Sequence, residues 1–159
     1  MRITWQELAV DLTGQSSDLL LSEWRWLVPP THQLRMVSTL GDAFLEDAAG
    51  SIHWLDVGSA LVTRIADDAD EFHRLRQSAD NADDWFAPQL VGALLEGGLR
   101  LRVGQCFSYR IPLTLGGEFA PDNFEPCSLA AHFGGLGKIQ RQVKDLPIGT
   151  QITSVQLEP

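Results

Sequence analysis

Ile52-His53-Trp54-Leu55-Asp56-Val57, then Gly58-Ser59, then Leu61-Val62-Thr63-Arg64-Ile65: two runs rich in β-branched and aromatic residues meet at a glycine-containing turn. That pattern is a β-hairpin signal. Working outward, Ala49-Gly50 supplies a second tight turn, preceded by an alternating run over 43–47 that contains Phe44. Residues 34–40 are also apolar and β-rich. Four short segments at this spacing predict an antiparallel meander. Helical patterns flank it in blocks instead of alternating with single strands. The fold class expected is therefore α+β, an antiparallel β-sheet (meander plus C-terminal strands) packed with helices. No repeat, low-complexity stretch or linker divides the 159 residues. A single domain over 1–159 is expected, with 1–33 as a helical N-terminal segment and 34–159 as the core.

Thr4 and Glu7 have capping-box spacing, in which each side chain satisfies a free backbone N–H of a helix's first turn. Trp5, Leu8 and Leu12 would share one face of that helix. A second helix is expected at about 18–27, with Leu20, Trp24 and Leu27 facing inward and Pro29-Pro30 ending it. Beyond the meander, Asp68 and Glu71 repeat the cap spacing for a helix through about Gln77. Asn81 or Asp83 would cap one further helix holding Trp85, Phe86, Leu90, Leu94 and Leu95, with Pro88 in its early turns and Gly97-Gly98 as its stop. Strands are predicted at 105–111, 128–133 and 152–157, a long surface loop at 115–126, a helix at 136–145 and a turn at Pro147-Ile148-Gly149.

Composition narrows the function. With 44% hydrophobic and 21% charged residues, the chain is an ordinary globular sequence with material for its own core. Its longest apolar runs fall far short of the roughly 20 residues that span a bilayer, so no membrane association is expected. The N-terminus has early acids and no apolar core region, unlike a secretory signal. Cys106 and Cys127, the only cysteines, do not form an export-type disulfide framework. A cytoplasmic location is expected. The net charge is −9, and between positions 67 and 84 seven acids face only Arg74 and Arg76, a local net of −5. Such a surface repels nucleic acid and attracts a basic protein. Acids at helix starts also complement the backbone dipole, which gives the cluster a structural reason as well.

Residue chemistry offers no catalyst, cofactor site or metal site. His32, His53, His73 and His132 lack the short ligand spacings of a zinc site. Cys127 and His132 come nearest, but as strand positions at odd separation they would point apart. Cys106 beside Phe107 reads as a buried, inert thiol. The serines lack a nucleophile elbow. The adjacent acids Glu46-Asp47 and Asp83-Asp84 diverge. The pairs Gly116-Gly117 and Gly134-Gly135 lack the lysine of a phosphate loop, and Glu118 and Asp122 would repel phosphate. Lys138, Arg141 and Lys144 make a basic edge suited to a helix C-terminus. Trp5, Trp24, Trp54 and Trp85 fit core positions, whereas Trp26 lies nearer the surface as a candidate binding anchor.

Gln105-Cys106-Phe107-Ser108-Tyr109, Pro112, Leu115-Gly116-Gly117, Asn123-Phe124, Leu129 through His132, Leu136 and Gln140 resemble the C-terminal domain of the type VI secretion DNase-immunity family. That domain of unknown function is often linked to a GAD-like domain. Leu40-Gly41-Asp42-Ala43-Phe44 and Trp54-Leu55-Asp56 are similar to the strand-rich portion of such proteins. The chain departs from the pattern at Arg110-Ile111-Pro112, and its first 40 residues show no GAD-like domain. The resemblance implies a non-catalytic, cytoplasmic bacterial immunity protein, an antitoxin that neutralises a cognate secreted toxin by occluding its active cleft. The partner implied is a basic, nuclease-type toxin protein. The surface proposed to meet it comprises Asp67, Asp68, Asp70, Glu71, Asp80, Asp83, Asp84 and Trp26. A small-molecule-binding protein or small hydrolase is the rival, with the 115–126 loop as a lid over Glu118, Asp122 and His132. A scaffold or regulator with another protein partner is a third possibility.

Overall fold

A computed structural model describes residues 2–147 and 149–157. The meander forms as the turn signals require. Strands β1 (Gln33–Val37), β2 (Ala43–Glu46), β3 (Ile52–Asp56) and β4 (Leu61–Ala66) pair antiparallel in sequence order. Phe44 lies opposite Trp54, and Trp54 opposite Thr63. Because side chains alternate across a strand, β2 serves two cores at once. Ala43 and Leu45 face one, with Trp24, Val28, Leu55, Leu129 and Phe133. Phe44 faces the other, with Phe72, Trp85, Phe86, Val91 and Phe107. The sheet thus separates the segment around Leu20–Val28 and the C-terminal helix on one side from the first turn of helix around Leu8 and the central helices on the other. The class is α+β, with a second sheet of two strands, β5 (Gln105–Tyr109) and β6 (Phe124–Ser128).

The Thr4–Glu7 capping box is present, but helix α1 covers only Trp5–Leu8. Ala9 turns extended and bridges Ser38, while Val10 N–H donates to Val37 C=O and Thr39 N–H to Leu8 C=O. Pairing with the chain after β1 ends the helix before Leu12 can join its face. Helix α2 (Ser17–Leu21) is likewise shorter than expected and passes into a 3-10 turn over Ser22–Trp24.

Asp68 caps α3 (Ala69–Leu75) as expected. The single helix expected beyond it is two, α4 (Ala79–Phe86), capped by Ser78, and α5 (Pro88–Glu96). Ala87 between them has φ +44°. Proline disfavours the helical region for the residue before it and cannot donate an N–H, so it starts a helix instead of sitting inside one. Gly97 ends α5 as expected.

The largest correction concerns 128–133. These residues are no strand: Ser128 closes β6 and caps α6 (Leu129–Val143), its Oγ accepting from Ala131 N–H at 3.2 Å. Leu129, His132, Phe133, Leu136, Ile139, Gln140 and Val143 form its buried stripe at helical spacing. Gly134-Gly135 therefore lies inside the helix. Gly137 has a packing reason, since a Cβ there would lie 2.7 Å from Glu23 C=O of the 3-10 turn. The expected 115–126 loop ends early, because Phe124 already belongs to β6. Residues 152–157 are not a strand. Gln156 N–H donates to Gln142 Oε1 and Lys138 Nζ to Leu157 C=O, so α6 side chains meet the backbone groups that a strand would pair. Ile148 of the expected 147–149 turn lies outside the described residues.

Candidate protein-binding face

The acidic stretch is built from the end of β4 through α3 and α4. Asp68 Oδ1 accepts from Glu71 N–H at 2.7 Å, and Glu71 Oε1 accepts from Asp67 N–H at 2.9 Å. Part of the charge is thus engaged in starting α3. Asp67 also meets Arg64 at 2.6 Å and Glu71 meets Arg74 at 3.6 Å. Arg76 turns inward, its guanidinium 4.7 Å from the Trp5 ring centre and 2.8 Å from His73 Nδ1.

Asp70, Asp80, Asp83 and Asp84 differ. Each is exposed, and none makes a hydrogen bond or ion pair among the described residues. Positions 80, 83 and 84 share one helical face at spacings of three and four. The opposite side of α4 buries Trp85 and Phe86. Phe44 of β2 lies 5.1 Å from both Phe72 and Phe86, with Trp85 5.7 Å from Phe72. Asn81 Nδ2 donates to Leu75 C=O at 2.9 Å and locks α4 to the end of α3. The acids therefore project from a braced helix pair. Trp26 belongs elsewhere: half-buried, it stacks on Trp24 at 5.9 Å, donates its indole N–H to Glu23 C=O, and packs on the core across the sheet.

The residues of the rival reading do not converge. His132 is buried, with Nδ1 2.7 Å from Ser108 Oγ and Nε2 2.8 Å from Gly41 C=O. Burial pushes its pKa down to about 4. Glu118 and Asp122 are exposed on the loop. Asn123 organises that loop: its Oδ1 accepts from Ile111 N–H, and its Nδ2 donates to the Ile111 and Glu118 carbonyls. Cys106 and Cys127 are free and sit opposite each other on β5 and β6, and burial raises both thiol pKa values. Asp42 accepts from Trp54 Nε1–H at 3.0 Å and Val57 N–H at 3.2 Å. Its enclosed carboxyl is raised by burial, then by Asp56, to about 8.

One group escapes any reading by local spacing. His32 precedes β1, Asp47 follows β2 and His53 lies on β3, yet their ligating atoms all fall within 4.8 Å of one another. Only the sheet register brings them together.

The fold and this face define an α+β protein whose central helices carry an unpaired acidic surface. Residues 66–140 match the family model described as T6SS immunity protein Tdi1, C-terminal, so that stretch is similar to this family. The matched segment starts at the last residue of β4 and runs through α3, α4, α5, β5 and β6 into α6. No curated protein matches the chain. Among the described residues, no helix is long and apolar enough to cross a membrane.

Proposed function

We propose that this chain is a cytoplasmic type VI secretion immunity protein that binds a cognate toxin of the nuclease kind and occludes its active cleft. It acts by association, without catalysis. The observation that carries this reading is that the family match begins where the acidic α3–α4 face begins. A nuclease cleft is basic because it must hold phosphates, and an array of unpaired carboxylates on rigid helices competes for it. Asp80, Asp83, Asp84 and Asp70 are the contacting acids. Asp67, Asp68 and Glu71 build the edge from which they project. Trp26 would contribute only to a partner that also reaches the other side of the sheet.

Replacing Asp80, Asp83 and Asp84 together by Asn tests the face. Association with the toxin should slow by about tenfold or more at low salt, and its salt dependence should weaken. Unchanged association kinetics would remove this face from the interface.

A further inference from the structure

We propose that His32, Asp47 and His53 form a binding site for one divalent transition-metal ion of the zinc class. Two imidazoles and one carboxylate are a donor set that zinc accepts, with a fourth, tetrahedral position left for water. Ligands on a tetrahedral zinc stand about 3.3 Å apart, given metal–nitrogen bonds of about 2.0–2.1 Å. Here all three donors lie within 4.8 Å, and His53 Nε2 is 2.8 Å from Asp47 Oδ2. The His–Asp contact must open by about half an ångström and His32 must close by no more than about 1.5 Å, which small side-chain rotations supply. The His32 and His53 rings are 4.7 Å apart between centres.

The supporting groups hold the donors as a metal site requires. Asp47 Oδ1 accepts from Ala49 N–H at 2.9 Å and Ser51 N–H at 3.0 Å, which fixes the carboxylate and leaves Oδ2 for the ion. His32 is pinned through its backbone, its N–H donating to Pro29 C=O and its own C=O accepting from Arg25 Nη1. The neighbouring cations are engaged with acids, Arg25 with Asp18 and Arg35 with Glu46. An open cleft of about 520 Å³, lined in part by Thr31, Arg35 and Glu46, reaches the Asp47 donor. Bound metal would clip the approach to β1 onto the β2–β3 turn, independently of any toxin.

The test is calorimetric titration of the chelator-stripped full chain with Zn²⁺, with thermal unfolding and Co²⁺ absorption alongside. His32→Gln is the informative variant, because it leaves the His53–Asp47 contact and the fold in place. Saturation at one equivalent, a higher melting temperature and visible Co²⁺ bands of a tetrahedral nitrogen–oxygen site are expected. His32→Gln and His53→Gln should each weaken binding by about tenfold or more, and Cys127→Ser should not. Absence of saturable binding, an unchanged isotherm in His32→Gln, or a thiolate charge-transfer band would each overturn the proposal.

Discussion

Lowering the pH from 7 to 5 should cost the folded protein about 2 kcal/mol through His132 alone. The side chain is 1% exposed, and both ring nitrogens are committed, to Ser108 Oγ and to Gly41 C=O. Desolvation lowers its pKa to about 4, with the Gly41 carbonyl opposing part of that shift. In the unfolded chain the same ring titrates near the ordinary histidine value of about 6.5. The unfolded state therefore binds more protons between these two values. The contribution is fully present above pH 6.5 and is lost as pH falls towards 4. Across the whole window it amounts to about 3 kcal/mol, at about 1.4 kcal/mol per pH unit. Asp42 works in the opposite sense: its carboxyl, raised to about 8, keeps a proton that the unfolded chain releases, so stability falls as pH rises through that range. The wild-type curve mixes both effects, and a comparison with His132→Gln isolates the imidazole. Urea unfolding should be followed by tryptophan fluorescence, since Trp24 donates its indole N–H to Phe133 C=O beside this site. The stability advantage of the wild type over His132→Gln should narrow by about 2 kcal/mol between pH 7 and pH 5. Parallel curves would refute the assignment of a buried, neutral imidazole.

Gly41→Ala should destabilise by about 3 kcal/mol or more, because φ is +89° and the new Cβ would sit 2.1 Å from His132 Nε2; urea midpoints measure it. Asn123→Ala should cost about 2–3 kcal/mol, since it strands the N–H and C=O of Ile111 and the Glu118 carbonyl. Proteolysis of that variant should begin within 111–123, and an intact loop with unchanged stability would count against the latch.

The meander, the Thr4–Glu7 capping box, the Asp68 cap and the Gly97 stop were legible because short-range patterns encode them. Turn glycines, alternating apolar residues and a Thr–Glu or Asp–Glu spacing act within a few residues. The start of α6 was not legible in the same way. Leu129-Ala130-Ala131 is short and apolar, ambiguous between strand and helix, and Gly134-Gly135 resembled a boundary. The Ser128 cap and the stripe Leu129, Phe133, Leu136 and Gln140 were the signals that decided otherwise. The break at Ala87 lay in the Ala-Pro dipeptide, whose effect was masked by apolar residues on both sides. The acidic region could be read from composition, whereas its division into engaged and unpaired carboxylates could not. Arg64 reaches Asp67 from outside the acidic run, and Arg76, counted within it, stacks on Trp5 instead. His32, Asp47 and His53 meet only through strand register, which spacing along the chain does not reveal.

The most direct test of the central claim is the binding of this chain to an inactivated form of a candidate toxin of the nuclease kind, sought first in any toxin-like gene adjacent to its own, measured together with inhibition of the active toxin. A one-to-one complex that tightens at low salt and blocks cleavage of DNA is the expected result. Failure to associate at micromolar concentrations, or a complex that leaves cleavage intact, would contradict neutralisation by an occluding acidic face.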